Sequence, residues 1–135
     1  MIRIDAIDHV VLRVRDMHAM RHFYVDVLGC TEERRQDAIG LLQLRAGASL
    51  IDLVSVDGTL GRRGGEAPGR DGHNMDHMCL RVADYDEAAM LAHLRAHHVR
   101  MGETGVRYGA QGEGRSIYVY DPQGNMLELK AALRA

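Results

Sequence analysis

The chain has 135 residues, of which 46% are hydrophobic and 27% are charged, as in a globular domain long enough to bury a sizeable core. Its formal net charge of −2 argues against binding to nucleic acid or anionic lipid, and no segment approaches the roughly 20 apolar residues that span a membrane. Two cysteines without a CxxC pair, and no apolar leader after Met1, exclude a disulfide framework and predict a cytoplasmic protein.

The first predicted element is a strand within residues 8–16, and its sequence returns 68 residues later at 76–84. Six of the nine positions are identical, which indicates a duplicated chain. Both copies alternate between apolar and polar residues as a half-buried strand does. One face of each strand is therefore expected to carry the same kinds of side chain, namely His9, Val11 and Arg13 in the first copy and His77, Cys79 and Arg81 in the second.

Each copy of the strand is followed by a predicted helix. Asp16 is placed to cap a helix over residues 17–28, which Gly29 ends. Asp84 and Glu87 have the spacing of a capping box ahead of a helix over residues 88–98.

Shorter apolar segments follow both helices, so that each half consists of a strand, a helix and about three strands. The halves span residues 4–56 and 75–131 of a single domain, and residues 57–74 read as a mobile, glycine-rich linker. A second glycine-rich stretch, 102–114, is interpreted as a loop that lines a pocket, and neither stretch matches a phosphate loop.

The last strand of each half contains one carboxylate among aliphatic residues, Asp52 in the first and Glu128 in the second. Burial of such a group is costly unless it is paired or bound to a cation. With His9 and His77 on the first strands, the repeat predicts two nitrogens and two oxygens around one divalent ion, which suits Zn, Ni, Co, Mn or Fe(II). Asp52 has an alternative role in capping a turn or pairing with an arginine of the repeat.

Other polar residues have two readings each. Arg13 and Arg81 either hold a substrate carboxylate or form ion pairs at the edge of the sheet. Ser116 and Tyr118 either donate to a substrate oxygen or pack on their strand. The helical pairs His18/His22 and His93/His97 have metal-ligand spacing, but polar helix faces of this kind are usually solvated.

Two further motifs complete a resemblance to a known family. The Phe23-Tyr24-x-x-Val27-Leu28-Gly29 segment and the Asp121-Pro122-x-Gly124-Asn125-x-x-Glu128-Leu129 segment, together with the repeat, resemble the vicinal-oxygen-chelate superfamily. This superfamily includes glyoxalase I, fosfomycin-resistance thiol transferases, extradiol dioxygenases and bleomycin-binding proteins. The resemblance implies an α+β fold in which two tandem βαβββ modules form a half-open, eight-stranded mixed β-barrel.

The resemblance also implies that His9, His77 and Glu128 are metal ligands, that Asp52 stands where glyoxalase I has a ligating Glu, and that Arg13 contacts substrate. The expected activity is that of a metal-dependent lyase or isomerase on a small substrate with vicinal oxygens, with Glu128 or Asp52 moving the proton. The alternatives are an Fe(II) extradiol dioxygenase, a fosfomycin-type thiol transferase and a non-enzymatic binder of small molecules or drugs. Family resemblance favours a homodimer.

Overall fold

The computed structural model describes residues 1–133, and the chain divides into two compact units between Asn74 and Met75. Each unit contains one four-stranded mixed sheet. In residues 1–133 no helix has the length and apolar character needed to cross a membrane.

The first unit is a βαβββ module. Its elements are β1 (His9–Val14), α1 (Met17–Arg21), which continues into a π-helical turn (His22–Val27), β2 (Thr31–Gln36), β3 (Leu41–Ala46) and β4 (Ser49–Ser55). The strand order is β1-β4-β3-β2, with β1 parallel to β4 and the other neighbours antiparallel.

The second unit repeats this plan. Its elements are β5 (His77–Val82), α2 (Glu87–Ala96), β6 (Arg100–Gly109), β7 (Gly112–Tyr120) and β8 (Met126–Ala131), in the strand order β5-β8-β7-β6. Here too the first strand is parallel to the last. The predicted α+β fold with tandem βαβββ modules is confirmed.

Aliphatic side chains form the core of each module because the chain has only six aromatic residues. Alternate residues of the inner strands are almost fully buried. In the first module these are Leu12, Val14, Leu42, Leu44, Ile51 and Leu53, and in the second Ile117, Val119, Leu127 and Leu129. Burial of one such side chain stabilises the fold by about 1.5–3 kcal/mol.

The first helix begins as predicted, because the Asp16 side chain accepts a hydrogen bond from the amide of Ala19. The second helix, predicted over residues 88–98, spans Glu87–Ala96, and its cap lies two residues after the predicted one. Asp84 has a left-handed backbone (φ 51°) and lies outside the helix, whereas Asp86 is extended and accepts from the amide of Ala89. An N-cap residue needs extended backbone, so the prediction of Asp84 as the cap was wrong.

The helix of the first module widens into a π-helical turn at His22–Val27. The amide of Leu28 donates to the carbonyl of Phe23, five residues earlier, as the π-helix requires. This turn buries Phe23, Tyr24 and Val27, and the chain leaves it through Gly29, whose φ of 86° favours glycine.

Two edge strands escaped prediction, β2 and β6. β2 is exposed along most of its length and bulged between Glu32 and Arg34, so it has no apolar alternation. β6 contains three glycines and pairs with β7, so residues 102–114 form most of a hairpin instead of the predicted loop.

The glycine-rich linker, residues 57–74, belongs to the first compact unit. It contains one 3-10 turn (Gly61–Gly64) and an isolated bridge between Gly69 and Gly72. The linker is therefore a folded appendage of the first module.

Candidate functional site

The histidine at the start of each module's first strand is bound by the aspartate that precedes it. His9 Nδ1 lies 2.7 Å from Asp8 Oδ1, and His77 Nδ1 lies 2.6 Å from Asp76 Oδ1. A carboxylate on Nδ1 fixes the tautomer in which the other nitrogen, Nε2, carries the lone pair that a metal would bind. Both modules therefore present their histidine in the same way.

The acids occupy equivalent positions on the last strands. His9 pairs with Leu50 across β1 and β4, and Asp52 follows two residues later on the same face. In the second module His77 pairs with Met126, and Glu128 follows two residues later. The duplication thus preserves the register between histidine and acid as well as the residue types.

Glu128 is 5% exposed and accepts hydrogen bonds from two side chains of β7. Ser116 Oγ donates to Oε2 at 2.6 Å, and Tyr118 OH donates to Oε1 at 2.9 Å. His77 Nε2 lies 3.3 Å from the same Oε1. Burial alone would raise the pKa of Glu128, but these three contacts outweigh it and lower the pKa, so the group is held as a carboxylate.

We call the surface that carries this acid the Glu128 face. It comprises the side chains on one side of the second sheet, His77, Cys79 and Arg81 of β5, Glu128 and Lys130 of β8, and Ser116 and Tyr118 of β7. Partial desolvation and the neighbouring Glu128 raise the pKa of Cys79 to about 11, which keeps its thiol protonated at neutral pH.

Asp52 is 4% exposed and has a different environment from Glu128. Its Oδ2 accepts a hydrogen bond of 3.2 Å from Gln43, which occupies the register position of Tyr118. The position equivalent to Ser116 is Leu41, which has no donor. Asp52 Oδ1 is consequently buried without a hydrogen-bond partner.

A buried carboxylate oxygen without a donor is costly, and such an atom commonly marks a site for a cation or a proton. The negative charge of Asp52 also contributes to the chemistry of His9. The pKa of His9 is raised, first by the hydrogen bond to Asp8 and then by the charge of Asp52.

The structure therefore brings together His9 with Asp52 in the first module and His77 with Glu128 in the second. Within residues 1–133, no group of three or more His, Cys, Asp or Glu side chains has the arrangement of a metal site. The four-ligand site stays a prediction.

The two arginines of the repeat have different environments. The guanidinium of Arg13 donates to four carbonyl oxygens of the linker, those of Gly61, Gly64, Gly65 and Glu66, at 2.7–3.3 Å. The backbone of Arg13 is also bound by the side chain of Asn74. This arginine organises the linker, whereas its counterpart Arg81 is exposed on the Glu128 face.

Ser116 and Tyr118 were given two readings, donation to a substrate oxygen or packing on their strand. In the structure their hydroxyl groups donate to Glu128, so each orients the acid, and a contact with substrate stays a prediction. Burial and this hydrogen bond raise the pKa of Tyr118, which keeps its hydroxyl group protonated as a donor.

The competing histidine pairs lie on the helices. His22 Nδ1 contacts Asp26 at 2.7 Å, which engages one member of the His18/His22 pair. The rings of His93, on α2, and His97, the residue after the helix, lie 4.7 Å apart, and both residues are exposed.

Sequence reasoning assigned no role to Asp8, Asp76 or Gln43. The two aspartates had a visible signal, because both belong to the repeated segment and directly precede its histidine. Gln43 had none, since its position opposite Asp52 depends on the register of β3.

The first module also has an open cavity of about 490 Å³ at one end of β3 and β4. Its polar lining includes Arg35, Asp37, Ser55 and Arg62. It includes neither His9 nor Asp52, so it is separate from the predicted ligands.

Comparison with known proteins identifies the family. The model of the Glyoxalase/Bleomycin resistance protein/Dioxygenase superfamily matches residues 6–129. No curated protein sequence matches the chain.

Solved structures share the fold. A virulence protein of Salmonella typhimurium is 25% identical with a TM-score of 0.80, and the match covers 98% of this chain and 100% of that one. A lactoylglutathione lyase of Agrobacterium tumefaciens (21% identity, TM-score 0.69) matches over 96% of each chain. A fosfomycin resistance protein of Mesorhizobium loti (18% identity, TM-score 0.69) matches over 97% of this chain and 95% of its own. These matches and the shared βαβββ duplication confirm the resemblance seen in the sequence, and the chain belongs to the glyoxalase/bleomycin resistance protein/dioxygenase superfamily.

Proposed function

We propose that the protein is a metal-dependent lyase or isomerase of glyoxalase type, acting on a small substrate with oxygens on adjacent carbons. His9, His77 and Glu128 are the proposed ligands of a divalent ion, with Asp52 as the fourth. The observation that carries the proposal is an arrangement that occurs in both modules. An aspartate binds Nδ1 of the histidine, and an acid lies on the last strand, two residues after the residue that pairs with this histidine.

The chemistry of these side chains fits a divalent ion. The Asp8 and Asp76 contacts leave Nε2 of each histidine as the metal-binding nitrogen, and the lowered pKa of Glu128 keeps an anionic oxygen ligand. Nitrogen and oxygen donors without thiolate suit Zn, Ni, Co, Mn or Fe(II). Such an ion, when bound, stabilises negative charge that develops on a substrate oxygen.

The proton-transfer role falls to Asp52. Glu128 accepts donors on both oxygens, which makes it a weak base, whereas Asp52 Oδ1 has no donor and can take a proton. Gln43 would hold the other oxygen of Asp52 during this transfer. Glu128 is accordingly proposed as a ligand, and Asp52 as the base that moves a proton between neighbouring carbons.

Two variants test this division of roles in the untagged protein. We expect Glu128→Gln to lose both metal content, measured by elemental analysis, and turnover of 2-oxoaldehyde–thiol adducts. Asp52→Asn should keep the metal on the three remaining proposed ligands and lose about 10²–10⁴-fold in kcat. Full metal occupancy with normal turnover in Glu128→Gln would refute the proposal.

A metal-free binder of small molecules is the second candidate. It is supported by the family that the chain matches, which includes bleomycin resistance proteins. Failure of untagged protein to retain or take up any first-row metal would support it. Oxygen uptake with catechols, or thiol addition to phosphonate epoxides, would instead identify a dioxygenase or a thiol transferase.

We further propose a cytoplasmic homodimer with a small-molecule substrate and no nucleic-acid or membrane partner. The family favours the dimer, and the net charge of −2 argues against polyanion binding. Sedimentation at several concentrations tests the dimer.

A further inference from the structure

Lys130 is an unusual residue, because it is a lysine with only 6% exposure on the central strand β8. It lies two residues after Glu128 and therefore on the Glu128 face. Its Nζ donates to the carbonyl of Gly112 at 3.0 Å, and no carboxylate within residues 1–133 lies within ion-pair distance of it. Burial of an ammonium group without a counterion is costly.

The hairpin of β6 and β7 is shaped around this lysine. A Cβ atom at Gly114 would lie 2.9 Å from Nζ, and one at Gly109 would lie 3.0 Å from Cε. Any larger residue at these positions would displace the Lys130 side chain. Gly109 and Gly114 therefore leave open the space that the Lys130 side chain occupies.

A second cation lies over the same hairpin. Arg107 extends over Gly105, where a Cβ atom would approach Nη1 within 2.6 Å. Its guanidinium carbon is 5.4 Å from the centre of the Tyr118 ring, which belongs to the Glu128 face. Nη2 also contacts Glu103 at 3.2 Å, but this glutamate is 83% exposed, so the pair is a weak one.

The two cationic groups are close together by strand register. The Arg107 guanidinium lies over Gly105, and Lys130 Nζ lies beside Gly114. Gly105 pairs with Ser116, which is two residues from Gly114 on β7, so these two positions are ~7 Å apart along the strand. Arg81 adds a third cation, because it pairs with Lys130 across β5 and β8. Arg81 and Lys130 thus outnumber Glu128, the one carboxylate among the side chains that define the Glu128 face, and Arg107 shares its charge with Glu103.

The first module lacks this arrangement. Val54 occupies the position of Lys130, and the β2–β3 hairpin is made of strands of six residues, whereas β6 has ten and β7 has nine. The longer hairpin and its buried lysine are thus particular to the second module, as a feature with a local function would be.

We propose that Lys130 and Arg107, assisted by Arg81, form an anion-binding subsite on the Glu128 face that takes a carboxylate or phosphate-type group. An oxyanion there would supply the counterion that Lys130 lacks and would accept charge-assisted hydrogen bonds from both cations. This inference rests on the proposed function only in identifying the anion as part of the substrate.

The test measures anion binding by metal-free, full-length protein at low ionic strength. Inorganic phosphate and acetate are titrated separately and followed by amide NMR shifts, with acetamide as the uncharged control. We expect saturable binding of at least one anion and none of acetamide. Tighter binding of phosphate or of acetate assigns the preferred group, and binding of neither overturns the proposal.

Three variants locate the site. Lys130→Met keeps the aliphatic stem, Arg107→Gln changes a side chain that is more than one-third exposed, and Gly114→Ala places a methyl group against Nζ. Each should weaken anion binding about tenfold or more. Arg95→Gln on α2 removes the same charge from an exposed position and should leave binding within about twofold.

Equal weakening by Arg95→Gln would show general charge attraction and overturn the subsite. Thermal unfolding checks that each variant is folded. If Lys130→Met does not fold, Arg107→Gln provides the test. Metal content is measured in parallel, so that loss of the metal proposal and loss of the anion subsite are distinguished.

Discussion

Ser116 Oγ donates a hydrogen bond of 2.6 Å to Oε2 of Glu128, and both residues are buried. The first module has Leu41 at the equivalent position, so the acid of each half has a different chemistry despite a shared register. The duplicated halves have diverged through the residue beside the acid.

Ser116→Ala should lower the free energy of unfolding by about 1–2 kcal/mol at pH 7, because a buried charged acceptor loses its donor. Contacts that lower the pKa of Glu128 stabilise the fold above the ordinary carboxyl pKa, about 4.3, and this contribution is lost as the pH falls through the lowered value. Urea unfolding at pH 7 and below pH 4 should therefore show a larger loss at pH 7. An equal loss at both pH values would contradict this account of Glu128.

Asp76→Ala should weaken the binding of a divalent metal about 10–100-fold, since His77 loses the carboxylate that fixes its tautomer. Asp71→Ala, an exposed change in the linker, is the matched control and should bind metal as the wild type does. Isothermal titration with Zn²⁺ or Mn²⁺ measures both. Unchanged metal affinity in Asp76→Ala would show that this aspartate does not support metal binding by His77.

Arg13→Ala should release the linker, because four of its carbonyl groups lose their shared donor. Trypsin cleavage after Arg62 or Arg63 is expected to accelerate about tenfold or more, since proteolysis follows the population of the open segment. Arg34→Ala, on the exposed strand β2, is the control. A linker that resists trypsin equally in Arg13→Ala would show that other contacts hold it.

Asp86→Ala should destabilise the protein by about 1 kcal/mol through loss of the α2 cap. Asp84→Gly should be neutral or slightly stabilising, because Asp84 has φ of 51°, a conformation that glycine adopts without strain. Thermal unfolding compares the two. Greater damage from Asp84→Gly would restore the sequence-based assignment of the cap.

The repeat predicted the modules because alternation along β1 and β5 is a local property of the sequence. β2 could not be predicted in the same way, because an exposed edge strand has no buried face to impose a pattern. β6 was obscured by its glycines, which here make room for long cations from neighbouring positions.

The pairing of each histidine with an acid was also accessible from the sequence, since both repeat in the same order. The partners of Arg13 were not, because they are backbone carbonyl groups whose direction depends on the path of the linker. Lys130 and Arg107 were missed for a related reason, since their setting depends on the register of a hairpin.

The charged edge strand β2 has a protective consequence. Its open backbone groups would offer a template for a strand from another molecule, yet Glu32, Glu33, Arg34 and Arg35 crowd that edge, and a bulge interrupts its ladder. Any incoming strand would have to desolvate these charges and match an irregular spacing. The edge is thereby guarded against intermolecular sheet growth, and neutral substitutions there should promote aggregation before they affect the fold.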